Sequence, residues 1–150
     1  MTETFFTPEQ QQQVMDAIAS AELNTSGEIR VHIESICKED VLDRAAFLFD
    51  KLNMHKTKLR TGVLFYLSVD DHKLAILGDS GINAKVPKNF WHDIRDHLIK
   101  EFRNDNYAGG LSEGIIMAGE QLKAHFPYQS DDVNELSNEI SYGEEMRRDE

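Results

Sequence analysis

The chain has 150 residues, 40% of them hydrophobic, and a formal net charge of −11. A chain of this length favours one domain that buries roughly two thirds of its unfolded surface, and the single cysteine, Cys37, excludes an internal disulfide framework and fits a reducing compartment. The negative charge argues against nucleic acid and anionic membranes as partners, since both need a positive surface, and is compatible with divalent cations or a basic protein partner.

The N-terminus, MTETFFTPEQQQQ, has no basic segment, apolar run or small-residue cleavage site of the kind a secretory signal carries. The longest apolar run, residues 63–67, is far short of the ~20 residues of a membrane span. The expectation is a soluble cytoplasmic protein with no membrane insertion.

Thr7-Pro8-Glu9 opens a first helix, with threonine at the N-cap and proline at the first helical position. Val14, Ala17, Ile18 and Ala21 form its apolar stripe, and Asn24-Thr25-Ser26-Gly27 ends it. Glu28 to Glu34 then alternates strictly: Ile29, Val31 and Ile33 point one way, and Glu28, Arg30, His32 and Glu34 the other. That pattern predicts a half-exposed strand. A second helix follows over about 40–53, with Val41, Ala45, Leu48 and Leu52 inward. Residues 62–69 are apolar on both faces, as a central strand requires. Asp70-Asp71-His72 turns the chain, and residues 74–77 return antiparallel. Strand, helix and strand make a βαβ unit, so the first two strands should be parallel.

Residues 78–83 read as a loop. Pro87 starts a third helix carrying Phe90, Trp91, Ile94, Leu98 and Phe102. A fourth helix spans about 108–126; its Gly110, Gly114 and Gly119 are costly by propensity and imply close packing against the sheet. The expected architecture is therefore α/β: a three-layer α/β/α sandwich, with a small mixed sheet flanked by about four helices. Hydrophobic periodicity fades after Pro127. Residues 1–126 form the domain, and 127–150 read as an extended or disordered acidic tail.

The strand directions sort the polar residues into two groups. One end of the sheet collects Glu28, Arg60, Thr61, Asp79, Ser80 and Asn83. The other collects Glu34, Asp40, Asp70, Asp71, Asp105 and Asn106. Carboxylate, amide and carbonyl oxygens are the ligands that calcium and magnesium prefer, so both ends are candidate cation sites. The metal candidates are Glu28, Asp79 and Asn83 at the first end, and Asp70, Asp71 and Asp105 at the second. Against that reading, Asp79 would only cap a turn, and Glu28 would pair with Arg30 or Arg60.

Other chemistries find little support. The six histidines, at 32, 55, 72, 92, 97 and 125, are scattered. His92 and His97 stand five apart and do not share a helix face as a ligand pair would. Gly78-Asp79-Ser80-Gly81 has the letters around a serine-protease nucleophile, without a positioned histidine or an all-β chain. Cys37 and Arg44 have six intervening residues where cysteine phosphatases have five, among acids that would raise a thiol pKa. The glycines at 78 and 81 lack the Lys-Ser/Thr of a phosphate loop.

Several stretches together resemble the TPM-domain family. They are Ser26-Gly27-Glu28-Ile29-Arg30-Val31, Thr61-Gly62-Val63-Leu64, Lys73-Leu74-Ala75-Ile76-Leu77-Gly78-Asp79-Ser80-Gly81-Ile82, and the stretch 102–119 with Glu120-Gln121-Leu122 after it. The resemblance covers about residues 5–126 and implies an α/β/α sandwich. For plastid members it suggests photosystem II repair and an acid phosphatase activity, and it associates the fold with divalent cations. The matching positions at the sheet end are Glu28, Gly78, Asp79 and Gly81. Arg60-Thr61 and Asn106 stand where many secreted members have acids, and the chain resembles a short cytosolic subtype.

Three functions follow as expectations. The first is a regulatory or adaptor domain that binds Ca2+ or Mg2+ at the end of the sheet with Glu28 and Asp79, ordering the nearby loop. The second is a metal-assisted phosphomonoesterase with Asp79 as ligand, Glu28 as ligand or base, and Arg30 or Arg60 holding the substrate. The third is a ligand-free protein-interaction domain.

Overall fold

Thr7 and Gln10 close a capping box, in which each side chain bonds the other's backbone amide, and Pro8 occupies the first turn. They start α1 (Pro8–Glu22). The computed structural model describes residues 5–128 and 136–143. β1 (Glu28–Glu34), α2 (Val41–Lys51), β2 (Gly62–Ser68) and β3 (Lys73–Gly78) follow. Next come α3 (Ser80–Asn83), α4 (His92–Arg103), α5 (Tyr107–Lys123) and the two-residue β4 (Ser141–Tyr142). The sheet order is β3-β2-β1-β4.

β1 and β2 run parallel, with Glu28 opposite Gly62 and Glu34 opposite Ser68. β3 returns antiparallel to β2, from Ser68 opposite Lys73 to Val63 opposite Gly78. One face of the sheet presents Ile29, Val31, Ile33, Val63, Phe65 and Leu67 to α1, α4 and α5. The other presents Leu64, Tyr66 and Ala75 to α2, around Leu48 and Phe49. The result is the expected α/β/α sandwich.

Four details differ from the sequence reading. β1 is covered on both faces: Glu28, His32 and Glu34 are buried and Arg30 is half-buried. Its alternation marks two chemically different faces, of which neither is solvated. The second difference supplies much of the cover. Within the tail, residues 136–143 return to the sheet, where β4 adds a fourth strand parallel to β1. Leu136 is buried in the α2-side core and donates its amide to Glu28 Oε1 at 2.7 Å. The Ser141 hydroxyl lies 2.7 Å from His32 Nδ1. Third, the loop at 78–83 contains a single helical turn, α3, capped by the Asp79 side chain. Fourth, the helix expected from Pro87 begins at His92, and Phe90 and Trp91 pack edge to face in the turn before it.

The glycines of α5 allow close packing, but against α4 and α1 and not against the sheet as expected. A Cβ on Gly110 would sit 2.5 Å from Glu101 Cβ, so α4 and α5 meet as closely as they do because that atom is absent.

Candidate functional site

The amino end of the parallel strands is built around Asp79. Its side chain is 2% exposed, and it caps α3 through a 2.7 Å bond from the Ser80 amide. Arg60 reaches it with both prongs: Nε donates to Oδ2 and Nη2 to Oδ1, each at 2.8 Å. His55 Nδ1 lies 3.1 Å from Oδ1 and 2.8 Å from Arg60 Nη2. That nitrogen accepts from Arg60 while unprotonated and donates to Asp79 when protonated. Burial works against the charged form of Asp79, but the bonds from Arg60, the Ser80 amide and His55 outweigh it and hold the carboxyl below the usual aspartate range.

The backbone is arranged for this pair. Arg60 adopts a left-handed φ of 58°, and the Gly81 amide bonds its carbonyl at 2.9 Å. A Cβ at residue 81 would stand 2.2 Å from the Leu59 carbonyl oxygen, so glycine is required there. Glu28 is engaged by the Leu136 amide, and the Asn83 amide donates to the Gly78 carbonyl at 2.9 Å. The candidates Glu28, Asp79 and Asn83 thus lie at one end of the sheet, with a guanidinium on Asp79.

The carboxyl end has two parts. Glu34 is buried and takes a bidentate pair from Arg44, a 2.7 Å bond from the Tyr66 hydroxyl, and a 3.3 Å contact with His32 Nε2. Burial opposes its charge, yet Arg44, Tyr66 and His32 hold its carboxyl below the usual glutamate range. Burial and the neighbouring Glu34 push the Tyr66 hydroxyl well above its ordinary value. Glu34 is the anchor of a saturated network.

Beside it lies an open cleft of about 560 Å3 between the β2–β3 turn and the α4–α5 loop. Leu67, Leu74, Ile99, Phe102 and Tyr107 give it apolar walls, and Phe102 and Tyr107 stack at 4.9 Å. Lys73, Arg103 and Asp105 bring charge to its lining, and His72 an imidazole. His72 and Asp105 both hold left-handed φ angles, 58° and 60°. Such conformations cost energy in non-glycine residues and concentrate at ligand-binding loops. Asp71 accepts from the Ser68 hydroxyl and, at 3.0 Å, from the Cys37 amide, and lies 3.7 Å from Lys73 Nζ. Asp70 and Asp105 are exposed, and neither carboxylate has an ion pair among the described residues. Of the three acids expected at this end, Asp105 lines the cleft; Asp70 and Asp71 belong to the β2–β3 turn that borders it, the Asp71 carboxylate being held by Ser68 and the Cys37 amide, and Asp40 stands apart as the cap of α2.

Among the described residues, one group of three His, Cys, Asp or Glu side chains brings its ligand atoms within 4.8 Å of one another: His97, Glu101 and Glu113. His97 Nε2 is 2.8 Å from Glu113 Oε1. The sequence reading sought histidine pairs and missed this group. The available signal was the four-residue spacing of His97 and Glu101 on one helix.

The family model for the TPM domain matches residues 2–121. The chain belongs to the TPM-domain family. Among solved structures, this TPM domain is similar to the BA42 protein of the psychrophilic bacterium Bizionia argentinensis, with 46% identity and a TM-score of 0.89 over 94% of this chain and 97% of that one. It shares its fold with the N-terminal domain of a protein from P. gingivalis, at 22% identity and a TM-score of 0.66 over 81% and 78% of the two chains. The N-terminal domain of cg2496 from Corynebacterium glutamicum has the fold too, at 10% identity and a TM-score of 0.61, over 97% and 85%. Among curated proteins there is no match. No helix of the described residues is long and apolar enough to cross a membrane.

Proposed function

We propose that this TPM domain is a regulatory or adaptor module that binds calcium or magnesium at the carboxyl end of its parallel strands. What supports this reading is the contrast between the two ends of the sheet. At the amino end, a cation on Glu28, Asp79 and Asn83 would first have to displace the Arg60 guanidinium from a buried carboxylate. At the carboxyl end, Asp105 lines the cleft and Asp70 is exposed on the β2–β3 turn that borders it, and neither carboxylate has an ion pair among the described residues. Open α/β sheets bind ligands outside the carboxyl ends of their strands. Calcium accepts irregular sets of carboxylate and carbonyl oxygens, and two loops supply both. Binding would draw the loops together and change the surface offered to a protein partner.

The test is a calcium and magnesium titration followed by amide NMR. Shifts are expected at residues 68–74 and 103–107, with little change at 26–30, 60–62 and 78–84. Asp105→Asn and Asp70→Asn should each weaken binding about tenfold, the loss of one charged ligand. An absence of localised shifts at millimolar metal would sink the proposal.

A second reading is a metal-assisted phosphomonoesterase at the same cleft. It is favoured by Lys73 and Arg103, which bring positive charge to the rim where a phosphate dianion would sit. Hydrolysis of a chromogenic phosphate ester that survives repurification and is lost in Arg103→Ala and Asp105→Asn would support it. Activity equal to wild type in both variants would mark a contaminant.

A further inference from the structure

We infer that His97, Glu101 and Glu113 form a transition-metal site on the seam between α4 and α5, suited to zinc or a zinc-like divalent ion. The group offers one imidazole nitrogen and two carboxylate oxygens, all within 4.8 Å of one another. With metal–ligand bonds of about 2.0–2.2 Å, ligand atoms of a tetrahedral zinc site stand roughly 3.3–3.6 Å apart. The 2.8 Å between His97 Nε2 and Glu113 Oε1 is close to that, and rotamer adjustment of exposed side chains covers the difference.

Three features of the backbone and its neighbours favour the site. His97 and Glu101 lie four residues apart on α4, and so share one face. The absent Cβ of Gly110 lets α5 approach Glu101, which brings Glu113 into reach. Asn106 stands at the N-cap of α5, where an asparagine side chain ordinarily accepts a bond from the first turn. Here it makes no capping bond, and its Nδ2 donates to Glu101 Oε1 at 2.7 Å. Hydrogen bonds of this kind orient carboxylate ligands in metal sites.

An ion pair accounts for His97 and Glu113 alone. Glu101 takes the Asn106 amide on Oε1, and its carboxylate keeps further lone pairs with which to ligate a cation beside His97 and Glu113. Mixed nitrogen and oxygen donors suit zinc, cobalt or nickel, whereas calcium and magnesium favour oxygen alone. Three protein ligands leave a coordination position for water or for a donor from another molecule. The metal would clip α4 to α5 and, through Asn106, steady the loop that carries Asp105.

The test uses untagged, chelator-stripped protein. Zinc is titrated by calorimetry and amide NMR, and cobalt by its visible absorption. One equivalent is expected to bind, with shifts centred on residues 97–113 and a zinc-dependent rise in melting temperature. His97→Ala and Glu113→Gln should each weaken zinc binding at least tenfold while keeping the wild-type far-UV spectrum, and His92→Ala should leave it unchanged. Zinc binding equal in wild type and His97→Ala, or shifts centred elsewhere, overturns the inference. The calcium response at residues 68–74 and 103–107 should survive His97→Ala, so this site and the cleft can fail separately.

Discussion

Glu22 closes α1, where its carboxylate accepts the Ile29 amide at 2.9 Å. Burial pushes its pKa up to about 7 against the pull of that amide, and Glu28 adds to the rise. The folded chain holds this proton more tightly than the unfolded chain, in which the group titrates at 4.5. Its stabilising contribution is therefore complete below pH 4.5 and is lost as the pH rises through about 7. Glu22→Gln, which keeps the acceptor for Ile29, should flatten the pH dependence of the melting temperature across that window. It should also stabilise the protein above pH 7 by on the order of 1–3 kcal/mol. A variant with the wild-type pH slope would contradict this account. Glu34, Asp71 and Asp79 act in the opposite direction: their pKa values are lowered by folding, so their contributions are complete at neutral pH and fade as acid protonates them. The role of Asp79 was only half legible in the sequence. Its capping of a turn could be read from Gly78-Asp79-Ser80-Gly81, but the pairing with Arg60 depends on a left-handed backbone at residue 60, which no residue type announces.

Among the elements, α4 and α5 expose a competition between propensity and packing. Alanine favours a helix over glycine by about 1 kcal/mol. At residue 110 the added Cβ would meet Glu101 Cβ at 2.5 Å, and forcing such an overlap typically costs about 1–3 kcal/mol. Gly110→Ala should therefore lower the urea midpoint, despite the gain in helix propensity; a raised midpoint would mean that the helices separate freely. That the fourth helix packs closely was readable from its glycines, but its partners there, α4 and α1 in place of the sheet, were not. The identity of β2 as a central strand was readable too, because residues 62–68 are buried without exception, as their apolar run required. The contribution of 136–143 was not. Leu136, Ile140 and Tyr142 are spaced by four and then by two, too short a pattern to tell helix from strand, and only two residues pair in β4. The contacts of this segment with Glu28 and His32 are purely tertiary. The same limit hid the His97 cluster, whose third member comes from another helix.

At the scale of the whole molecule, that returning segment joins both cores. Leu136 packs with the α2 side, while Tyr142 packs with the side of α1, α4 and α5. Leu136→Ala should cost about 2–4 kcal/mol, the usual range for a fully buried leucine, measured by urea unfolding. A cost under about 0.5 kcal/mol, typical of surface substitutions, would show that the segment does not belong to the folded unit. The acidic character of the two sheet ends was also visible in the sequence. Which end is open was not, because an arginine, a histidine and a chain segment far along the sequence fill the amino end.

The bonds from Ser141 to the β1 residues His32 and Val31 span 109 and 110 positions. A ribosome delivers the two partners in that order. The polar face of β1 therefore stays uncovered through most of synthesis, while β2 and the helices that follow can already assemble. Folding of this chain should finish only after residues 136–142 have cleared the exit tunnel, and a nascent chain stalled before that point should hold its β1 amides in faster exchange with water than the released protein does.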